Sequence, residues 1–115
     1  MSVLPESLEQ ARSASERRNY RRVKLITRVR GVARGREDAL ETRDVSLGGL
    51  LIATKKPYPA NAEIAVAFSL PFGGPSIYCR GEVSYTIKGR FMGIRFLEMS
   101  EESRLALQTF VAQAS

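Results

Sequence analysis

Four arginines lie close together near the start of the chain: Arg17, Arg18, Arg21 and Arg22. The guanidinium group is a planar fork of N–H donors that can hold two phosphate oxygens at once or pair with the O6 and N7 edge of a guanine. The four arginines form two overlapping pairs with the same spacing, Arg17 with Arg21 and Arg18 with Arg22, and an alternating segment begins directly afterwards at Val23. The cluster indicates a site for phosphates, whether of nucleic acid, lipid or a nucleotide.

A carboxylate, a hydroxyl and a glycine follow about twenty residues later, in the stretch DVSLGG. Asp44 can accept hydrogen bonds from N–H donors, and the Ser46 hydroxyl can donate or accept one. Gly49 leaves room for a close approach to the backbone. Taken alone, Asp44 and Ser46 are more typical of a turn in which their side chains bond nearby backbone, and Gly48 with Gly49 fits a turn or bulge. These residues by themselves leave both interpretations open.

The charge distribution supports a phosphate site near the start of the chain. The 115 residues carry a net charge of +6, with 43% hydrophobic and 26% charged residues, which is typical of one soluble globular domain. Between residues 12 and 36 there are ten basic residues and one acid, whereas the rest of the chain has eight basic and eleven acidic residues. The positive field therefore belongs to one region of the protein and not to the whole surface.

Several chemistries are excluded by composition. The chain has no histidine and a single cysteine, which excludes histidine-dependent catalysis, most zinc sites and an internal disulfide. Cys79 alternates in phase with apolar residues and is expected to be a small core side chain. We find no base and nucleophile pair and no phosphate-binding P-loop, so we expect no enzyme. The absence of an apolar leader and of any long apolar run predicts a cytoplasmic protein without a membrane span.

Short strands must position these residues. Alternating apolar residues and turn clusters predict six strands, over residues 23–33, 39–45, 50–54, 64–70 and 77–87 and in a sixth segment ending near Leu97. The polar stretch 34–38 is the first hairpin connection. Tyr85 and Ile87 share the inward phase of the fifth strand. Six short strands favour a small antiparallel barrel or sandwich, because closure removes exposed strand edges.

The two ends of the chain differ from this pattern. Residues 1–22 lack clear periodicity and predict a flexible arm in front of a globular unit over 23–115. Ser100 can cap a helix over about 100–113, whose first turn carries two glutamates. An apolar stripe at helical spacing should dock this helix on the barrel. The stripe consists of Leu107, Phe110, Val111 and Ala114.

The two motifs together resemble those of the PilZ domain, the bacterial receptor module for cyclic di-GMP. The likeness covers an R-x-x-x-R from Arg18 to Arg22, a D-x-S-x-x-G from Asp44 to Gly49, the later GIRF ending at Phe96, and the closing helix. It implies an all-β fold, a six-stranded antiparallel β-barrel (PilZ-like split barrel) with a C-terminal helix. It also implies a cyclic di-GMP receptor or adaptor without a cofactor, in a family whose outputs include motility and exopolysaccharide regulation.

The resemblance also implies roles for individual residues. Arg18 and Arg22 would grip the ligand from the flexible arm, which would become ordered on binding. Asp44 would accept from the guanine N1 and N2 hydrogens, Ser46 would donate its hydroxyl hydrogen, and Gly49 would leave room for the nucleotide. In PilZ domains resembling this one, an arginine at the position of Arg17 accompanies binding of an intercalated ligand dimer. We therefore expect two nucleotides in the site.

Three further residues are possible ligand contacts: Arg21 in the second frame, Gly48, and Tyr85, which could stack on a guanine. Two other functions remain open. One is a small basic barrel that binds RNA or DNA, disfavoured because aromatic residues for stacking are sparse. The other is a PilZ-type adaptor that works through protein contacts without a ligand, disfavoured because such proteins usually lack the arginine pair. The downstream partner is not identified by the sequence.

Overall fold

The computed structural model describes residues 20–71 and 73–114, and in these two stretches the chain forms seven strands and one helix. The strands are β1 (Val23–Lys24), β2 (Arg28–Ala33), β3 (Arg36–Val45), β4 (Gly49–Ala53), β5 (Glu63–Phe68), β6 (Ile77–Ile87) and β7 (Phe91–Met99). The helix is α1 (Glu101–Gln113). No helix in these stretches is long and apolar enough to cross a membrane.

The strands close into a barrel. Neighbouring strands pair in the order β1-β3-β2-β5-β6-β7-β4, and an additional pairing of β3 with β4 joins the two sides of the sheet. All of these pairings are antiparallel. β1 lies along the same edge of β3 as β2 does, so six strands make the closed barrel and β1 is an extra strand. The prediction of a six-stranded antiparallel barrel with a C-terminal helix is confirmed.

The predicted first strand is interrupted. It was expected to run from Val23 to Ala33, but it divides into β1 and β2, and residues 25–27 form no ladder pairs. Thr42 fills the gap from β3, because its hydroxyl accepts from the Thr27 N–H at 3.0 Å and donates to the Leu25 carbonyl oxygen. Thr42 is fully buried, and this bonding satisfies its hydroxyl group away from water.

The first hairpin is tighter than predicted. Only Arg34 and Gly35 form its turn, with φ of 55° and 77°, and β3 already begins at Arg36. Two consecutive residues with positive φ give a turn whose twist matches that of the flanking strands, so the strands continue closer to the turn. At the other end of the barrel sheet, β5 ends at Phe68 although the alternation predicted a strand up to residue 70.

The barrel interior is filled by the alternating apolar residues of the strands, and α1 packs against it. The Ser100 hydroxyl accepts from the Ser103 N–H at 3.1 Å and so caps the helix, as predicted. The buried Ser103 hydroxyl in turn accepts from the Tyr78 N–H of β6 at 3.1 Å. Leu107, Phe110 and Val111 are buried, but Ala114 is exposed because the helix ends at Gln113.

The prediction that Tyr85 and Ile87 face the core is wrong. Their side chains are 45% and 46% exposed. The pairing of β6 with β7 shifts by one residue between Val83 and Tyr85, which leaves Ser84 as the extra residue of a bulge. A bulge reverses the alternation beyond it, so residues that share a phase in the sequence come to lie on opposite faces.

Candidate functional site

The two sequence motifs meet through an ion pair. Arg22 directly precedes β1, and Asp44 lies near the end of β3, where β1 pairs with it. The Nε and Nη2 atoms of Arg22 each lie 2.9 Å from Oδ1 of Asp44. Both side chains remain partly exposed, at 36% and 28%. The pairing of Val23 with Val45 therefore brings together two residues that are 22 positions apart in the sequence.

A bulge in β3 places Asp44 on the outer surface. Thr42 and Val45 are both buried although they are three residues apart, which a regular alternating strand does not allow. The pairing of β3 with β4 shifts between Thr42 and Asp44, so Arg43 is the extra residue. As a result Arg43 and Asp44 both stand outside the interior, Arg43 exposed and Asp44 half-buried. Bulges commonly redirect side chains next to functional sites.

Ser46 holds the connection between β3 and β4, which we call the 46–49 turn. Its hydroxyl oxygen accepts from the N–H groups of Gly48 at 3.1 Å and Gly49 at 3.2 Å. The Ser46 N–H also donates to the Gly49 carbonyl oxygen at 2.9 Å. Ser46 therefore bonds nearby backbone, which is one of the two interpretations that the sequence left open. The hydroxyl hydrogen is a donor separate from these accepted bonds.

The two glycines of the turn have different neighbours. A Cβ on Gly49 would collide with the backbone carbonyl oxygen of Ile94 in β7, so the missing side chain allows β4 and β7 to pair. A Cβ on Gly48 would lie 2.7 Å from Cδ2 of Tyr20, whose ring covers that glycine. The pairing of β4 with β7 therefore explains why position 49 is a glycine, and this explanation differs from the expected room for a ligand.

Tyr20 and Arg95 are two neighbours of this site that sequence reasoning missed. Tyr20 is 39% exposed. It lies between Arg18 and Arg22 in the sequence, and an aromatic residue inside R-x-x-x-R could have indicated its place at the site. Arg95 pairs in register with Gly49 and is exposed on the outer face, where it forms an ion pair with Glu82 of β6. In the sequence, Arg95 lies in GIRF between the apolar residues Ile94 and Phe96, and this alternation could have indicated an outward side chain.

Of the remaining predicted residues, the structure describes Arg21 and Tyr85, and neither forms a hydrogen bond or ion pair with Asp44 or Ser46. Arg21 is exposed and forms no ion pair with any described residue, while Arg17 and Arg18 lie outside the described residues. Tyr85 shares the outer face with Asp44, because register pairs join Asp44 to Leu51, then to Gly93, then to Tyr85. Three strand spacings separate Tyr85 from Asp44, or roughly 14 Å. The Tyr85 ring covers Gly93.

The site offers hydrogen bonding and charge, not covalent chemistry. Burial raises the pKa of the Cys79 thiol to about 11, and this cysteine is part of the core. A thiol with a raised pKa is a poor nucleophile near neutral pH. Among residues 20–71 and 73–114, no cluster of side chains is suited to hold a metal ion. The arrangement of guanidinium, carboxylate and hydroxyl groups is instead suited to noncovalent binding.

Comparison with protein families assigns the chain to a family. The PilZ domain family matches residues 16–113, which include both motifs, the barrel and α1. The chain belongs to the PilZ family. The family assignment from the arginine and aspartate motifs is thereby confirmed. No curated protein sequence matches this PilZ domain significantly.

Solved structures share the fold at low sequence identity. The Bacillus subtilis inhibitor of motility, MotI/DgrA, is 17% identical with a TM-score of 0.75, and the match covers 84% of this chain and 50% of that protein. The PilZ domain of Escherichia coli YcgR with c-di-GMP is 19% identical with a TM-score of 0.67, covering 85% and 91%. Borreliella burgdorferi PlzA in complex with c-di-GMP is 16% identical with a TM-score of 0.62, covering 91% and 45%. This PilZ domain spans about half the length of the first and third of these proteins.

Proposed function

We propose that this PilZ domain is a cyclic di-GMP receptor that binds the ligand on the outer face around Arg22, Asp44 and Ser46. The contact between Arg22 and Asp44 carries the proposal, because it unites on one surface the two motifs that the family uses. Two structures similar to this chain, those of YcgR and PlzA, contain c-di-GMP. The PilZ family consists of binding and adaptor domains, so we propose no catalytic step.

The chemistry of the three side chains fits the ligand. Cyclic di-GMP has two anionic phosphates and two guanines. The Arg22 guanidinium can hold a phosphate or the guanine O6 and N7 atoms. In the structure both of its short contacts go to Oδ1 of Asp44, and the carboxylate's second oxygen can accept from the guanine N1 and N2 hydrogens. Ser46 is only 3% exposed, and its hydroxyl holds the N–H groups of Gly48 and Gly49 beside these two charged groups.

The arm in front of β1 would become ordered around the ligand. The four arginines between positions 17 and 22 repel one another, and two phosphates reduce that repulsion. Arg18 would then join Arg22 in holding the ligand, and Arg17 would add the contact expected for an intercalated dimer. Tyr20 supports this arrangement, because its ring already lies on Gly48 of the 46–49 turn. A partner protein would recognise the altered surface.

Calorimetric titration with cyclic di-GMP tests the site. We expect Arg22→Ala and Asp44→Ala each to raise the Kd about tenfold or more, the loss of one bidentate contact of about 1–3 kcal/mol. The matched control is Arg80→Ala, which removes an exposed arginine paired at 3.1 Å with Glu63 and Glu98 on another part of the barrel. The control should keep the wild-type Kd. Two ligands per chain in the same titration would support the intercalated dimer.

Other outcomes would contradict the assignment. An unchanged Kd in both Arg22→Ala and Asp44→Ala places the ligand elsewhere. An equal loss in the Arg80→Ala control indicates a general charge effect. Titration of a single-stranded oligonucleotide at rising salt addresses the nucleic-acid alternative, because polyanion binding weakens steeply with salt. Tight, salt-sensitive oligonucleotide binding without cyclic di-GMP binding would replace the receptor proposal with that alternative.

A further inference from the structure

A groove of about 720 Å³ lies on the outer face near the end of β4 that is farther from the 46–49 turn. Its walls come from β2, β3, the end of β4 and the hairpin between β6 and β7. Register explains the depression: Ala53 of β4 stands between Glu41 of β3 and Phe91 of β7. A methyl side chain between two larger ones leaves an unfilled space over the strand. Ala39 and the half-buried Phe91 add apolar surface to the groove.

The groove is strongly basic, and we call it the basic groove. Four cations line it, Arg28, Arg43, Lys55 and Arg90, against the single acid Glu41. None of the four cations forms an ion pair with a described residue, whereas Arg30, Arg80 and Arg95 elsewhere on the barrel each have a carboxylate partner. Unneutralised like charges around a concave surface concentrate the positive potential there and attract an anionic partner.

The composition of the groove distinguishes among anionic partners. Glu41 is exposed within it and pairs in register with Ala53, so a continuous phosphate chain crossing the groove would meet a negative charge. The aromatic ring of Phe91 is half-buried, and the guanidinium of Arg90 lies 5.3 Å from the ring centroid, so this ring is not a free platform for base stacking. An apolar floor surrounded by separate cations instead matches a peptide with separate carboxylates and an apolar side chain.

We propose that the basic groove docks an acidic segment of a partner protein. Carboxylates of that segment meet Arg28, Arg43, Lys55 and Arg90, and one of its apolar side chains fills the depression over Ala53. The docking itself needs no bound nucleotide, because the groove includes none of Arg22, Ser46 and Gly49. The two surfaces nevertheless adjoin, since the bulge in β3 places Arg43 in the groove directly beside Asp44 in the ligand site.

Two adjacent lysines provide a matched test. Lys55 and Lys56 are both exposed, but only Lys55 lines the basic groove. The probe is a short synthetic peptide that alternates glutamate with leucine. NMR chemical shifts of the protein locate its binding site, and fluorescence anisotropy of the peptide measures its affinity. We expect peptide-induced shifts at Arg43, Lys55 and Phe91. Lys55→Glu should weaken binding roughly threefold or more, as reversing a charge at a surface pair does, while Lys56→Glu leaves it unchanged.

A stronger variant and a second readout complete the test. Arg43→Glu combined with Arg90→Glu should weaken peptide binding at least about tenfold. Cyclic di-GMP affinity of Lys55→Glu should equal that of Lys56→Glu, which shows that the groove is separate from the nucleotide site. If the protein binds no cyclic di-GMP but the peptide results hold, only the receptor proposal fails.

Four results would overturn the docking proposal. The first is the absence of peptide binding or of shifts in the groove. The second is an equal loss in Lys55→Glu and Lys56→Glu, which would indicate diffuse attraction. The third is tighter binding of a single-stranded oligonucleotide or of anionic lipid vesicles than of the peptide through the same residues. The fourth is a cyclic di-GMP affinity that falls in Lys55→Glu alone, since the groove would then belong to the nucleotide site.

Discussion

The 46–49 turn and the arginine segment at residues 20–22 meet on one face of the barrel but are held in different ways. The turn is held by hydrogen bonds to its backbone: the Ser46 hydroxyl accepts from the N–H groups of Gly48 and Gly49, and the Phe96 N–H of β7 donates to the Gly48 carbonyl oxygen at 2.9 Å. The arginine segment is attached by the ring of Tyr20 on Gly48 and by one partly exposed ion pair.

This difference means that the turn determines the shape of the candidate site, whereas the arginine segment supplies its positive charge. A turn anchored to two strands keeps its backbone in one conformation before a ligand arrives, which reduces the ordering cost of binding. A partly exposed arginine contributes little to the stability of the fold, so it can exchange its carboxylate partner for a ligand at small cost. Changes in the turn should therefore affect folding, and changes in the arginine segment should affect binding alone.

The two adjacent glycines of the turn give the largest expected effect. Gly49→Ala should lower the free energy of unfolding by about 3 kcal/mol, because the new methyl group meets the Ile94 backbone oxygen of β7. Gly48→Ala should cost less than about 1 kcal/mol, because its methyl group meets only the side chain of the partly exposed Tyr20. Urea denaturation of the two variants compares them, and equal losses would contradict the assigned roles.

Thr42 holds the segment between β1 and β2 against β3 and should give an intermediate effect. Thr42→Val removes the hydroxyl that bridges Leu25 and Thr27, which leaves a buried donor and acceptor without partners, at a cost of about 1–3 kcal/mol. Hydrogen exchange should accelerate first at β1, the strand that follows Arg22. Thr86→Val, a change on the exposed end of β6, is the control and should leave stability and exchange unaltered. Slow exchange retained at β1 would show that Thr42 does not hold it.

The arginine segment should give the smallest effect on folding. Arg22→Ala and Asp44→Ala should each change the free energy of unfolding by less than about 1 kcal/mol, because the pair is partly exposed to water. Denaturation of the same samples used for the cyclic di-GMP titrations measures this directly. A loss as large as that of Gly49→Ala would mean that the ion pair is a structural element, and the distinction between the turn and the arginine segment would be wrong.

Much of the fold followed from local pattern. The alternation of apolar residues located the strands, and Ser100 with its glutamates located the start of α1, because both signals depend on residues close in sequence. The pattern failed at Tyr85, where a bulge in the pairing with β7 turned the side chain outward. It failed also at residues 25–27, where the Thr42 hydroxyl of β3 interrupts the ladder. Both failures arise from strand pairing, which the alternation within one strand does not contain.

For the candidate site, the sequence indicated the residues but not the contacts that each of them makes. The motif identified Arg22, Asp44, Ser46 and Gly49, and the ion pair between the first two agrees with a shared site. The reason for Gly49 came from the Ile94 carbonyl oxygen on a strand more than forty residues away. Tyr20 was missed, because its role depends on the packing of its ring against a glycine that the sequence places far from it.

The sequence by itself determined the family, the concentration of positive charge and the residue types available for binding, because these depend only on composition and on spacing along the chain. Only the tertiary structure decided which charges have partners and which faces they share. The bulge at Arg43 places that residue in the basic groove while Asp44 pairs with Arg22. That division arises from the register of β3 against β4, since strand register is set by contacts across the barrel.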